Sequence, residues 1–211
     1  MPPRKEKPPI EIPNAIAPKR RERTHDALLA AAIKMTKHGC LGSIADVAQA
    51  AGISRATAYR YFPNQARLID AIIEQTLGAV HSYDSDKRDG VERIRTLFEQ
   101  TFPLFKEFEP QLRAALQLSL EHWTMERAGT LREEPFRRGR RVKILQRAAA
   151  PLKRQLGNRR YEKLLRALSL VYGIEPYIVL KDMWGATDNE VSAITRWVME
   201  ALLRAALDEA K

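Results

Sequence analysis

The chain has 211 residues, one cysteine and a formal net charge of +10 at pH 7. This length suits one small module joined to a larger domain, and a single cysteine excludes an internal disulfide bond. No apolar run reaches the roughly 18 residues that a membrane-spanning helix needs, so the composition excludes an integral membrane protein.

The first 18 residues hold six of the twelve prolines, together with Arg4, Lys5 and Lys7. Such a segment neither forms a helix nor buries apolar surface, so we predict a disordered basic arm over residues 1–18. The arm either follows a nucleic-acid backbone or is a solvated tail without a role in recognition. It lacks the apolar stretch of a signal peptide, and the cysteine usage suits a reducing compartment, so the predicted location is cytoplasmic.

Positive charge is concentrated in the N-terminal third of the chain. Residues 1–65 carry 11 Lys and Arg against 5 Asp and Glu, whereas the remaining 146 residues carry 25 against 21. This distribution is typical of a nucleic-acid-binding module. The first predicted helix, Lys19–His38, lies within it and is expected to end at Gly39. Its buried face would carry Leu28, Ala31, Ala32 and Met35.

Residues 43–62, SIADVAQAAGISRATAYRYF, predict two short helices joined by a tight turn. Ser43 and Ser54 are suitable N-caps, and Gly52 suits a chain that leaves a helix in the left-handed region. No acidic residue lies between Asp46 and Asp70, so nothing in this window repels a phosphate backbone. The pattern is that of a helix-turn-helix DNA reader, and the alternative is a compact helix pair within an ordinary core.

The second helix of this unit is expected to turn Ala58, Tyr61 and Phe62 inward. A fourth helix, Asn64–Val80, follows the Pro63-Asn64 pair and is expected to be the only element joining this module to the rest of the chain.

From the first helix through GCLGSIADVAQAAGISRATAYRYFPNQARLIDAI, about a quarter of the chain, the sequence resembles the TetR (tetracycline-repressor) family of bacterial transcription regulators. The Gly-Ile-Ser turn at 52–54, Thr57-Ala58-Tyr59 and Tyr61-Phe62 carry the resemblance. Gln65 stands where the family very often has a lysine, so a DNA contact there would carry no charge. The resemblance implies a double-stranded DNA operator as partner and no cofactor. The candidate DNA-binding residues are Lys19, Arg20, Arg21, Ser43, Arg55, Ala56, Thr57, Tyr59, Arg60, Tyr61 and Gln65.

The rest of the chain is helical by pattern, which makes the predicted class all-α with about nine helices. We expect a helix-turn-helix domain over 19–65, a connecting helix over 66–80 and a larger ligand-binding and dimerisation domain over 81–211. Pro103 predicts a kink or break in the fifth helix. The helices predicted in the larger domain are Val91–Phe108, Gln111–Arg127, Glu133–Leu156, Tyr161–Trp184 and Asp188–Glu209.

The eighth predicted helix is apolar nearly all round from Leu164 to Trp184, so it must bury more than one face. We predict a homodimer in which two copies of the last two helices form a four-helix bundle; the alternative is a monomer in which this helix is central. The family resemblance implies the same arrangement. The candidate interface residues are Leu168, Tyr172, Val179, Val198 and Leu202.

Apolar faces of the fifth to eighth helices are expected to converge on a small-molecule effector, which would be largely apolar or aromatic. The same residues could instead form a dry core. Glu175, in an apolar segment, is either a ligand contact or a structural ion-pair partner. The candidate ligand-binding residues are Phe102, Phe105, Leu116, Leu120, Trp123, Phe136, Tyr172 and Glu175.

The basic run 137–143 predicts the solvated face of a helix, with contact to DNA, acidic lipid or an anionic ligand as the alternative. The four histidines lack metal-ligand spacing, so no metal site is predicted, and Cys40 is expected to be a buried thiol.

Three classes of function can be compared. An enzyme would need a nucleophile-base set, a metal constellation or a phosphate loop, and the sequence carries none. A membrane-surface scaffold would leave residues 43–62 unexplained. The sequence therefore predicts a transcriptional regulator, a repressor released from a palindromic operator by a small ligand; a regulator without a small-molecule ligand is the alternative.

Overall fold

A computed structural model describes residues 18–37, 42–81 and 85–210, and all regular secondary structure in these ranges is helical. The predicted all-α class is thereby confirmed. The N-terminal helices are α1 (Pro18–Lys37), α2 (Ile44–Ala50), α3 (Arg55–Tyr61) and α4 (Gln65–His81). The larger part holds α5 (Gly90–Glu107), α6 (Glu109–Arg127), α7 (Arg140–Ala149), α8 (Lys153–Val171), α9 (Glu175–Tyr177) and α10 (Asp188–Asp208).

Side chains at helical spacing bury the inner faces of the first four helices. Leu28 of α1, Ala48 of α2 and Ala58 of α3 have no exposed surface. Alanine at 48 and 58 lets α2 and α3 approach closely where they cross. Asn64 caps α4, since its Oδ1 accepts from the backbone N–H of Arg67 at 2.9 Å.

The fifth helix does not break at its proline. α5 continues through Pro103, whose side chain is exposed. Phe98, Phe102 and Phe105 lie on one buried face on both sides of the proline, and their packing holds the helix together across the missing hydrogen bond.

The helix predicted over Glu133–Leu156 begins only at Arg140, because the preceding segment is bound elsewhere. The backbone N–H of Phe136 donates to Nδ1 of the buried His122 on α6 at 3.1 Å. Residues 128–139 therefore follow α6 as a loop.

The single helix predicted over Tyr161–Trp184 is two elements. α8 ends at Val171, and α9 continues as π-helical turns over Ile178–Met183. Gly173 separates them with a φ of +132°, a conformation that residues with a Cβ rarely adopt.

Five aromatic rings pack where α5, α8 and α9 meet. Tyr177 donates its hydroxyl hydrogen bond to the carbonyl of Phe102 at 3.1 Å, and burial raises the pKa of Tyr177 to about 12. Two of these rings, Phe105 and Tyr172, line the cavity described below. The members of this aromatic cluster are Phe98, Phe102, Phe105, Tyr172 and Tyr177.

Candidate functional site

The turn between α2 and α3 is built from two caps and one glycine. The hydroxyl of Ser43 accepts from the backbone N–H of Asp46 at 3.2 Å, and Asp46 Oδ2 accepts from the N–H of Ser43 at 2.8 Å. Hydrogen bonds from the side chain and backbone of Ser43 hold the pKa of Asp46 below its usual value. Gly52 has a φ of +65°, and Ser54 Oγ accepts from the N–H of Thr57 at 3.3 Å. These local bonds fix the angle between the helices.

α3 presents an exposed face with two cations. Arg55 and Arg60 lie at its two ends, and the Arg60 guanidinium donates to Thr57 Oγ1 at 3.5 Å. Ala56 and Tyr59 are also exposed on this helix. A helix with this outer face can enter a major groove and donate to phosphates and base edges.

The candidate DNA-binding residues differ in how far their side chains are already bound. Arg20 and Arg21 are exposed at the start of α1. Ser43 is used as the α2 cap, and Gln65 Nε2 donates to the carbonyl of Gly42 at 3.5 Å. Gln65 therefore joins the beginnings of α2 and α4. Residues 1–17, Cys40 and the side chain of Lys19 lie outside the described residues.

His25 is a structural residue that the sequence argument missed. Its ring lies 5.2 Å from the ring of Phe62 and 6.2 Å from that of Tyr61, so it packs α3 onto α1. Tyr61 is half-buried as a result. The spacing of His25 with Leu28 and Ala32 on the inner face of α1 was the available signal.

A cavity of about 100 Å³ lies between α4, α5, α6, α7 and the Gly173 turn. Three candidate ligand residues line it: Phe105, Phe136 and Tyr172. Four arginines of the basic run also line it: Arg137, Arg138, Arg140 and Arg141.

The remaining ligand candidates lie elsewhere. Phe102 belongs to the aromatic cluster behind the cavity, whereas Leu116 and Leu120 line a separate groove, and Trp123 is exposed. α6 is rotated relative to the prediction, so that it is Ala115, with Leu112, that faces the cavity.

Glu175 is an ion-pair partner of the basic run. Arg141 Nη2 donates to both carboxylate oxygens at 2.7 and 2.6 Å, and Arg138 Nη2 donates to one at 2.8 Å. Burial acts to raise the pKa of Glu175, but the two arginines outweigh it and hold the pKa below its usual value. A Cβ at Gly173 would lie 3.0 Å from the Arg141 guanidinium, so glycine makes room for this pair.

The basic run is therefore not simply a solvated helix face, because Arg140 is paired as well. Its Nη1 donates to Glu74 at 2.6 Å and its Nη2 to Asp70 at 3.3 Å, both on α4. The start of α7 is joined to α4 on one side and, through Arg141, to α9 on the other.

The predicted interface residues separate into two groups. Leu168 and Tyr172 are buried within the subunit, whereas Val179 is exposed and Val198 and Leu202 are half-buried. The most exposed large apolar residues in the described ranges are others: Trp184 is 79% exposed, Leu170 and Met183 are each 75% exposed, and Trp197 is 70% exposed. Ile194 is also exposed. The break at Gly173 explains the difference within the segment predicted as the helix Tyr161–Trp184, since it changes which residues of that segment face outward. Ile194 and Trp197 lie on α10.

Across the described ranges, no three His, Cys, Asp or Glu side chains are grouped as a metal site would require. His122 is bound to the loop through Phe136, and its Nε2 lies 3.5 Å from Glu133. No helix in the described part of the chain is both long and apolar enough to cross a membrane.

Residues 28–72 match the family model for bacterial regulatory proteins, tetR family. The chain is 31% identical over 106 residues to the nucleoid occlusion factor SlmA of Shewanella sediminis (strain HAW-EB3), covering 48% of this chain and 53% of that protein. The chain thus spans about half the length of this curated relative. A crystal structure of a tetR-family transcriptional regulator from Streptomyces coelicolor is similar in fold, with a TM-score of 0.58 and 19% identity over 89% of this chain and 83% of that chain.

Proposed function

Since the chain belongs to the TetR family of bacterial regulatory proteins, we propose that it is a sequence-specific DNA-binding transcriptional regulator, a repressor released from a palindromic operator by a small molecule. Membership of a regulatory family agrees with the prediction that it is not an enzyme. A regulator of chromosomal genes would work in the cytoplasm.

The observation that carries DNA binding is the rigid unit of α2 and α3. The caps at Ser43 and Ser54 hold α3 with Arg55 and Arg60 outward, and no carboxylate lies between Asp46 and Asp70 to repel phosphate. We assign base reading to α3 and backbone contacts to Arg20, Arg21 and the beginnings of α2 and α4.

A homodimer follows from the need to read a two-fold operator and from the exposed apolar face near the C-terminus. A palindrome requires two reading helices about 34–36 Å apart, and each subunit has one. We propose that the face including Trp184 and Trp197 is covered by a second copy, which would remove a large apolar surface from water.

The cavity supports a small-molecule effector. It borders α4, which follows α2 and α3 directly in the chain. We call α2 and α3 together the reading unit, and a ligand in the cavity can displace this unit through α4. The ligand releases DNA if it binds the displaced arrangement more tightly than the DNA-bound one, and the coupling is typically about 1–3 kcal/mol.

DNA binding is tested by fluorescence anisotropy with the duplex upstream of the chain's own gene. We expect affinity to fall steeply with salt and footprinting to protect one short palindrome. Binding that depends little on salt and protects no palindrome would contradict the proposal. A regulator that uses no small molecule is the second candidate. It would be favoured if neither a cavity-filling substitution nor a cell metabolite extract changes the affinity for the operator.

A further inference from the structure

We infer that the cavity takes an amphipathic anion, a short aliphatic chain ending in a carboxylate or phosphate, whose headgroup removes Arg140 from its partners on α4. The inference rests on the proposed effector role of the cavity and gives that effector a chemical class.

The inner part of the cavity is apolar and narrow. Ile73 and Leu77 of α4, Phe105 of α5 and Ile144 of α7 are buried around it. Its volume of about 100 Å³ is small beside the roughly 300 Å³ or more of pockets for drug-sized ligands. The space suits one aliphatic chain better than a multi-ring compound.

The outer part of the cavity is rich in arginine. Four arginines and the carboxylate of Asp70 line it, and three further carboxylates pair with these arginines, those of Glu74, Glu126 and Glu175. α7 begins here after Gly139, with no side-chain cap and no acidic residue in its first turn. The positive end of the α7 dipole is therefore left without a carboxylate in its own first turn, and it favours an anion at this mouth.

The arginines are not equivalent. Arg141 is held by two bonds to Glu175 and one to the carbonyl of Ser169, so it is a structural residue. Arg138 uses Nη2 for Glu175, but its buried Nε has no hydrogen-bond partner. Arg138 thus retains a donor that an anionic headgroup can satisfy.

Arg140 is the arginine that can change partners. Arg140 is 40% exposed, and its partners Asp70 and Glu74 are 41% and 61% exposed. Ion pairs this exposed contribute little to stability, so a headgroup beside Arg138 competes with them effectively. Releasing Asp70 and Glu74 frees the side of α4 that faces α7, and α4 is continuous with the reading unit.

The first test measures ligand class by calorimetry on the full chain with four probes of equal length: octanoate, octyl phosphate, octan-1-ol and octylamine. We expect one or both anions to bind at least tenfold more tightly than octan-1-ol, and octylamine to bind more weakly still. The better anion identifies the headgroup as carboxylate or phosphate. Equal affinity for octan-1-ol, or no binding of either anion, overturns the inference without requiring any variant to fold.

The second test locates the headgroup. Arg138→Met is expected to weaken binding of the better anion at least tenfold and to leave octan-1-ol unchanged. The control is Arg132→Met, because Arg132 is exposed in the same loop and does not line the cavity. An equal loss for both probes, or a loss in the control, places the headgroup elsewhere and overturns the assignment.

The third test follows α4 by hydrogen exchange. The anion is expected to increase exchange over residues 65–81, and Arg140→Met is expected to do so without ligand and to remove any further increase. Unchanged exchange of α4 overturns the part played by Arg140. A chain that binds the anion but no DNA contradicts only the proposed regulator, whereas a chain that binds its operator but neither anion contradicts only this inference.

Discussion

The side-chain amide of Gln111 on α6 donates to the backbone carbonyl of Ile33 on α1, with 3.4 Å between Nε2 and O. Gln111 has no exposed surface, and the hydroxyl of Thr36 donates to the same carbonyl at 2.8 Å. We expected α4 to be the only element that joins the N-terminal module to the larger domain. This is wrong, because α6 of the larger domain also packs on α1. A change at the cavity has two routes to the reading unit.

The Gln111 contact predicts that two substitutions at this position differ in how much they change the stability of the fold. Gln111→Met should change the free energy of unfolding by less than about 1 kcal/mol, because it also removes Oε1, which is buried without a hydrogen bond. Gln111→Ala leaves a void and should lower it by about 2 kcal/mol. Urea denaturation measures both. A methionine variant as unstable as the alanine variant would show that the bond to Ile33 dominates.

We predict that removing either of the two cations on α3 weakens the binding of DNA. Arg55→Ala or Arg60→Ala should each weaken operator binding by about 1–3 kcal/mol, and whichever arginine reads a base should also relax preference at one base pair. Competition titrations with operator variants measure this, and Arg132→Ala serves as an exposed control on another surface. Parent-like affinity and selectivity in both variants would mean that α3 is not the reader.

We predict that alanine substitutions at Gly52, in the turn between α2 and α3, and at Gly139, before α7, differ in their effect on stability. A Cβ at Gly52 or at Gly139 would meet nothing within 4 Å, but only Gly52 has a positive φ, +65°. Gly52→Ala should lower the free energy of unfolding by about 1–2 kcal/mol because of this backbone conformation alone. Gly139→Ala should leave it unchanged or raise it slightly. Equal effects in thermal unfolding would refute the backbone explanation.

The exposed apolar face predicts where a charge disrupts self-association. Trp197→Glu should dissociate the proposed dimer, because a buried unpaired carboxylate in the interface is strongly unfavourable. Light scattering over a range of concentrations measures the mass. Trp123→Glu is the matched control, since Trp123 is 56% exposed but lies on α6. Dissociation by the control and not by Trp197→Glu would move the interface to α6.

An ion pair between α5 and α10 predicts a pH dependence of stability. Arg95 donates through Nε and Nη2 to the two oxygens of Glu200 at 2.6 and 2.7 Å, and this pairing holds the pKa of Glu200 below its usual value. A carboxyl group with a lowered folded pKa stabilises the fold above its unfolded pKa, about 4.3, and this stability is lost as pH falls through the lower folded value.

Glu200→Gln should therefore lower the free energy of unfolding by about 0.5–1 kcal/mol at pH 7, a modest figure because both side chains are about a third exposed or more. The difference from the parent protein should shrink as the pH falls below about 4. Urea titrations at pH 7 and pH 3.5 measure it. A difference that grows on acidification would contradict the assigned direction.

The all-α class and the α2–α3 unit could be predicted from the sequence, because they depend on neighbours along the chain. Ser43 bonds to Asp46, Ser54 to Thr57, and Gly52 supplies its own backbone conformation. Each of these interactions closes within three residues, so residue type and spacing specify it.

The cavity and the outward face of the C-terminal helices could not be predicted in this way, because they depend on contacts between residues far apart in the chain. Arg140 meets Glu74 across 66 positions of the chain, and Arg141 meets Glu175 across 34. Gly173 breaks an apolar segment that periodicity alone presents as one helix, and that break turns Tyr172 inward while Trp184 is left exposed. Such pairings depend on how helices rotate and cross when the core packs, and apolar spacing along one helix does not specify that rotation.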